Sequence, residues 1–239
     1  MRPDEFSKMR ALEETHWWFR GRRHLLRNLV GRLGLRDALI LDAGCGTGFA
    51  RGELSKAGTV IGLDTSPEAF APESDSPGCI ALIEQAPFSG ATFDLIVALD
   101  LLEHLEDDEQ ALREIYRVCK PGGHLLVTVP AYQWAWSRHD EVLGHRRRYS
   151  AADLAEKVRR AGFTVRRLSY TVTSVFPPAV VYRLLRRRSR AGSDLFRVPE
   201  PANCILGALM KIESRLVWNV SLPFGLTVFL LACKQQGGG

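Results

Sequence analysis

Between Ala38 and Val129 short, unbroken apolar runs alternate with helical stretches: Ala38 to Leu41, Thr59 to Leu63, Cys79 to Ile83, Phe93 to Leu99 and His124 to Val129. Runs this short and continuous suit strands covered on both faces. Their recurrence between helices predicts a parallel, doubly wound α/β sheet. Right-handed crossovers then leave few topologies open. Phe163 to Thr171 and Leu226 to Cys233 read as two later strands, and 239 residues leave room for one such domain with additions.

Around these runs the helical signals are clear. Leu12, Trp17, Trp18, Leu25, Leu26, Leu29 and Val30 recur at helical spacing, so an amphipathic helical region opens the chain. Ser150 is a good N-cap for a helix from Ala151 to Ala161, with Gly162 just beyond its end. Pro177 and Pro178 open a helical stretch through about Arg188, a loop spans 189–202, and Ile205 to Trp218 reads as helix. The stretch Leu216 to Cys233 is free of charge, but Asn219, Ser221, Pro223 and Gly225 interrupt it. It is expected as helix, turn and buried strand rather than a membrane span. Gly237 to Gly239 are expected to fray.

Hydrophobic residues at 46% and charged residues at 25% exclude collagen-like and wholly disordered chains. Cys45, Cys79, Cys119, Cys204 and Cys233 form no CxxC pair, which speaks against a disulfide framework or a zinc knuckle and for a reducing, cytoplasmic location. The charged N-terminus lacks the apolar segment of a secretory signal. Residues 1–129 hold 14 Lys+Arg against 20 Asp+Glu, residues 130–239 hold 18 against 7. The basic half either faces an anionic partner or is a solvated surface. The run Arg183 to Arg190, beside an apolar segment, suits peripheral contact with an anionic membrane, or equally a solvated helix end.

The chemistry is carried by Asp42-Ala43-Gly44-Cys45-Gly46-Thr47-Gly48, directly after the first strand and before a helix expected to start near Phe49. Glycines there let the backbone approach a ligand, and free N–H groups at the helix start favour an anionic group. A dinucleotide fingerprint would need glycine at position 49, which is Phe49, and Asp42 would repel a pyrophosphate. A ligand with an ammonium group for Asp42 and a carboxylate for the glycine turn fits better. Asp64 ends the second run, where a carboxylate accepts hydrogen bonds from ribose hydroxyls.

With these features, residues 36 to 130 resemble the class I S-adenosylmethionine-dependent methyltransferases. The motifs are Leu41 to Gly48, Asp64, Ala86-Pro87-Phe88, Phe93 to Ala98, Leu102-Glu103-His104 and Lys120-Pro121-Gly122-Gly123. Their combination is also similar to the ubiquinone-type and small-molecule subgroup. The resemblance implies a Rossmann-like seven-stranded sheet, order 3-2-1-4-5-7-6 with the last strand antiparallel and helices on both faces. It implies S-adenosyl-L-methionine as cofactor, S-adenosyl-L-homocysteine as product and no metal. Residues 1–35 would be a helical lid region, and 36–239 the methyltransferase domain with a substrate insertion at 130–149 and a helical insertion at 176–218. The implied cofactor contacts are Asp42, Gly44, Cys45, Gly46, Gly48, Asp64, Thr65, Leu99 and His104. The family's acid after the third strand aligns with Leu82; Glu84 takes over the adenine contact if the loop shifts, and Ile83 then flanks the ring.

In-line methyl transfer needs an aligned and unprotonated nucleophile. The stretch from Tyr132 to Tyr149 is dense in titratable and aromatic groups just past the fifth strand. His139 or His145 is the candidate general base, Asp140 its orienting carboxylate, and Arg146 to Arg148 the grip on an anionic acceptor. Tyr132, Arg147 and Tyr149 are candidate acceptor contacts. Trp17 and Trp18, with Arg20 and Arg23, form either a lid over the cofactor or the packing face of the first helix. A purely structural role would make these histidines caps and the arginines a solvated face. O-methylation of a polar, anionic, lipid-linked or secondary-metabolite acceptor is favoured over N- or C-methylation. Nucleic acid is disfavoured because Ala98-Leu99-Asp100-Leu101 stands where an amino-methyltransferase tetrad would be, and Val129 to Tyr132 follows the wrong strand. An NAD(P)-dependent oxidoreductase and a binding module without chemistry compete with the methyltransferase reading.

Overall fold

Seven strands form one sheet in the order β3-β2-β1-β4-β5-β7-β6: β1 (Ala38–Ala43), β2 (Gly58–Asp64), β3 (Gly78–Ile80), β4 (Phe93–Leu99), β5 (Cys119–Pro130), β6 (Thr164–Thr171) and β7 (Thr227–Cys233). The computed structural model describes residues 9–70, 77–186 and 198–236. β1 pairs in parallel with β2 and β4, β4 with β5, and β2 with β3, whereas β7 runs antiparallel to both β5 and β6. The topology and the reversed last strand match the sequence expectation.

The apolar runs are continuous because both faces are covered. Alternate residues Ile40, Leu95, Val97, Leu126, Phe229 and Leu231 pack with Leu25, Leu26, Leu29 and Val30 of α1 (Trp17–Leu33) and Leu54 of α2 (Arg51–Leu54). Their neighbours Leu41, Ile96, Leu125, Val127 and Leu230 pack with Ala111, Leu112 and Ile115 of α3 (Asp108–Val118) and with Leu154 and Val158 of α5 (Ala151–Arg160). Every one of these side chains is buried. Period-two alternation inside an unbroken apolar run is what a doubly covered strand requires.

Several boundaries differ from those expected. β3 stops at Ile80, because an edge strand has β2 as its one partner; the chain then turns, and Ile83 lies in a 3-10 turn, Ile83–Gln85. The helix behind the glycine turn starts at Arg51, not Phe49, and is four residues long. The 130–149 stretch contains a helix, α4 (Arg138–Leu143), held by a Ser137–Asp140 capping box and ended by Gly144 at φ +76°. α6 (Phe176–Arg186) follows β6, and α7 (Glu200–Leu216) begins five residues before Ile205, since Pro201 is tolerated in a first turn. The basic run from 187 onward, most of the 189–202 loop and Gly237 to Gly239 lie outside the described residues. No helix among the described residues is long and apolar enough to cross a membrane.

α1 and α7 cross closely. A Cβ on Gly21 would stand 2.6 Å from Met210 Cβ, so glycine permits this approach. α7 is tied to the end of β6 by Glu213, a buried residue whose carboxylate accepts from the backbone N–H groups of Val172, Thr173 (3.0 Å) and Ser174 (3.1 Å). Val172 has φ +62°, so the turn needs these bonds to hold it. Replacing Glu213 with alanine strands the three donors and should lower unfolding stability by about 2 kcal/mol or more. An unchanged urea midpoint would show that the turn holds itself.

Candidate cofactor and acceptor site

The parallel strands β1, β4 and β5 end on one edge of the sheet, and each is followed by a left-handed residue: Gly44 (φ +70°), Asp100 (φ +51°) and Tyr132 (φ +61°). The chain therefore reverses sharply over the strand ends. At β1 the N–H groups of Gly44 and Cys45 donate to Leu63 O (2.7 and 3.1 Å), folding the glycine turn against β2. Asp64 at the end of β2 accepts from the N–H of Gly46 (2.8 Å) and of Ser66 (2.9 Å). Asp42 is buried beneath. Burial first, then the charge of Asp64, pushes it up to about 7 against the opposing pull of Arg51. A cleft lined by Asp42, Cys45, Gly48, Arg51, Val60 and Gly62 opens beside the turn.

At the end of β4 the groups are densely titratable. Asp100 accepts from Arg22 of α1 and from the Thr128 hydroxyl (3.0 Å), to which Arg22 also donates (2.9 Å). Glu103 is fully buried, and neither carboxylate oxygen has a hydrogen-bond partner among the described residues; burial, then the charge of Asp100, pushes it well above the usual carboxylate range. His104 lies with its ring 4.8 Å from that of His145, and burial, then His145, pushes it down to about 4. His104 is thus neutral at pH 7.

His145 Nδ1 lies 2.8 Å from Asp140 Oδ1, and the same carboxylate receives both Nε (2.8 Å) and Nη2 (3.0 Å) of Arg148. Asp140 is 0% exposed. Burial would raise its pKa, but the hydrogen bonds from His145 and Arg148 outweigh that and hold it well below the ordinary range. Asp140 is therefore an ionised acceptor facing Nδ1 of His145, and Nε2 is the ring nitrogen left for another partner. Glu103, His104 and His145 each bring a ligand-type atom within 4.8 Å of the others, the grouping among the described residues with donors for a cation.

The structure brings together Asp42, the glycine turn and Asp64, and separately His145 and Asp140; His104, expected among the cofactor contacts, packs against His145. Thr65 is exposed beside Asp64, and Leu99 is half-buried at the end of β4. His139 stands with its ring 6.3 Å from His145. Other expected contacts are spent on the fold. Tyr149 is buried, and its hydroxyl donates to Asp108 (2.6 Å) and lies 3.1 Å from Leu102 O. Arg147 donates to Leu105 O and Glu106 O and pairs with Asp108, and Arg148 is locked on Asp140, so neither is the grip on an anionic acceptor expected of this run. Ile83 is buried in the core rather than beside a ring, while Leu82 is 51% exposed past the end of β3. Glu84 has one sheltered oxygen without a partner. Trp17 and Trp18, both partly buried, pack against the cluster of Val172, Val175 and Met210.

The roles of Arg22, Asp100 and Glu103 escaped sequence reasoning. Asp100 and Glu103 follow β4 at the edge where ligands of such sheets bind, so topology was the available signal; nothing local marks Arg22. The opening segment also reaches the glycine turn, where Glu13 accepts from the Thr47 hydroxyl, and the Trp17 N–H donates to Asn203 Oδ1 (2.8 Å). Tyr132 stacks on Tyr170 (5.1 Å) and Trp134 (5.3 Å), an aromatic wall beside the histidines' loop.

Residues 41–127 match a family described as methyltransferase domain. This stretch carries the glycine turn, Asp64, Asp100 and His104. Over that stretch the chain is similar to a methyltransferase domain. A probable S-adenosylmethionine-dependent methyltransferase of Mycolicibacterium smegmatis is 34% identical over 165 residues, covering 65% of this chain and 62% of that protein. A ubiquinone biosynthesis O-methyltransferase of Pseudomonas fluorescens is 32% identical over 108 residues, covering 40% and 45%. The chain thus spans less than two thirds of the curated relatives' length. A putative methyltransferase solved with the Haloferax volcanii Trm112 methyltransferase activator superposes with a TM-score of 0.63 at 19% identity, covering 99% of this chain and 96% of that one, and shows the shared fold.

Relatives of the chain are named as S-adenosylmethionine-dependent, and the residues present fit that group. A Cβ on Gly48 meets nothing within 4 Å and one on Gly46 meets only Gly44 O at 3.9 Å, so the turn presents open space. Asp42 suits an ammonium group, Asp64 a ribose, and exposed Leu82 an apolar ring. Asp64→Ala should weaken S-adenosylhomocysteine binding at least about tenfold by calorimetry; unchanged affinity would remove Asp64 from the site. Asp42 has a raised pKa, so it takes up a proton as pH falls through about 7 and loses the charge an ammonium group needs. Affinity should fall by up to about tenfold from pH 7 to pH 6, and a flat profile would show that Asp42 does not meet the ammonium.

Proposed function

We propose that this chain transfers a methyl group from S-adenosylmethionine to an oxygen of a small-molecule acceptor, with His145 as the general base. The observation that carries this reading is the Asp140–His145 pair, with its carboxylate clamped by Arg148 and its loop joined to the turn after β4 by the Arg146 N–H on Glu103 O and by the His104–His145 ring contact. When bound, S-adenosylmethionine supplies an electrophilic methyl on a sulfonium.

The residues of the chain do the rest. Asp42, Asp64 and the glycine turn hold the ligand's polar ends, so the reacting centre is placed without further loss of freedom; alignment of this kind is worth several kcal/mol, up to about 7–11 in favourable cases. Asp140 keeps the His145 proton on Nδ1, and Nε2 takes the proton of the acceptor hydroxyl as the oxygen attacks. His104, neutral and in edge contact, does not compete for that proton above about pH 4. Arg22 and the N-terminal segment cover the strand ends and exclude water. The aromatic wall of Tyr132, Trp134 and Tyr170 offers a flat apolar side to the acceptor. An oxygen acceptor is supported by the likeness to a relative named as an O-methyltransferase.

In a labelled-methyl assay on extracted metabolites, His145→Ala should lower turnover about 10²-fold to 10⁴-fold with S-adenosylhomocysteine affinity unchanged. His139→Ala should have little effect. Full turnover in His145→Ala would remove it as the base, and methylation of nothing by the wild type, with cofactor bound, would leave a binding module.

A further inference from the structure

Helix α7 carries apolar residues on two sides. One side, with Met210 and Val217, is buried in the cores it shares with α1 and the sheet. The opposite side presents Ile205, Leu209, Ile212 and Leu216, spaced i, i+4, i+7 and i+11, with Ile205 62% and Ile212 56% exposed. These four form a stripe about 17 Å long at 1.5 Å per residue. A solvent-facing stripe of large aliphatics on a helix already packed by its other side needs a cover.

From Ile205 onward the exposed charges beside the stripe are of one sign. Between Ile205 and Val220 the exposed ionisable residues are Lys211 and Arg215, while Glu213, the acid in this stretch, is buried and engaged with the β6–α6 turn. Next to the helix end, Arg32 of α1 stacks over Trp218 (5.5 Å). Past the helix the apolar surface continues through exposed Val220 to Phe224, which touches Phe176, and Phe176 touches Tyr132 of the aromatic wall.

We propose that this face of α7 docks on an anionic lipid surface, with the aliphatic stripe at the headgroup–acyl boundary and Lys211 and Arg215 on the phosphates. An apolar stripe edged by basic residues, on a helix too polar to cross a bilayer, is the pattern of a helix lying in the interface. At the C-terminal half of the stripe, where Lys211 and Arg215 stand, a second copy in the same register would set like charges against each other; Glu200, the exposed acid of α7, lies at the other end, beyond Ile205. The location differs from the one the sequence pointed to, the run from Arg183 to Arg190. Docking here would also turn the aromatic wall toward the membrane, which suits an acceptor carried on a lipid. The proposal stands on the exposed face and does not require the methyl-transfer reading.

The test is sedimentation of the full chain with phosphatidylcholine vesicles and with vesicles containing phosphatidylglycerol. Binding should appear on the anionic vesicles and weaken with salt. Lys211→Glu with Arg215→Glu, and separately Ile205→Gln with Ile212→Gln, should each weaken it at least about tenfold, with S-adenosylhomocysteine affinity and thermal stability unchanged. Absence of wild-type binding, equal binding to both vesicle types, or vesicle binding that both variants retain would overturn the proposal. So would a dimer in sedimentation equilibrium that the Ile205/Ile212 variant dissociates, which would make a second copy the cover.

Discussion

Burial of the central strands on both faces is the constraint from which the rest follows. With helices on each side, β1, β4 and β5 have no free face on which to build a ligand site, so chemistry is confined to the edge where they end. At that edge the chain must turn at once, and it does so through Gly44, Asp100 and Tyr132, all left-handed. Two of the three are not glycine, and such a conformation costs of order 1–3 kcal/mol. The surroundings hold them: Asp100 is fixed by Arg22 and Thr128, and Tyr132 by its bond to Tyr149 O (2.8 Å) and its ring stacking. Strain at these turns brings the functional groups over the strand ends.

The second organising feature is the buried Asp140 carboxylate. A lone buried charge is costly, and here it accepts from Arg148, His145 and the Ser137 N–H together. That network makes the 137–149 stretch a defined structure in which His145 has one orientation. The same contacts use up Arg148, while Arg147 is spent on Asp108 and the backbone of Leu105 and Glu106. Of the basic run that looked like an anion grip, Arg147 and Arg148 are engaged within the fold, and Arg146 stays exposed.

The strands and the glycine turn were legible because each rests on local sequence, while the strand order came with the family resemblance. Ala38 to Leu41 shows an unbroken apolar run wherever it is placed, and Asp42 to Gly48 with Asp64 has a spacing that favours a ligand with an ammonium group and a ribose over a dinucleotide. Glu103 and Arg22 were not legible as functional. Glu103 looks like any acid in a turn until Asp100, Arg22 and Arg148 are set around it, and Arg22 sits 78 positions from Asp100 in a helix whose pattern announces packing. Ile83 failed for a related reason: its place one residue from the expected acid says nothing about which way a 3-10 turn points its side chain.

The sequence by itself determined the fold class, the glycine turn and the acids that flank it, because a doubly covered strand and a ligand-hugging turn each leave a short, contiguous pattern. Tertiary structure alone decided which basic and aromatic residues are engaged within the fold, that Arg22 reaches Asp100, and that α7 keeps an exposed apolar side. Those properties depend on pairings between distant segments, and burial and charge partners are set by three-dimensional packing that no local pattern encodes.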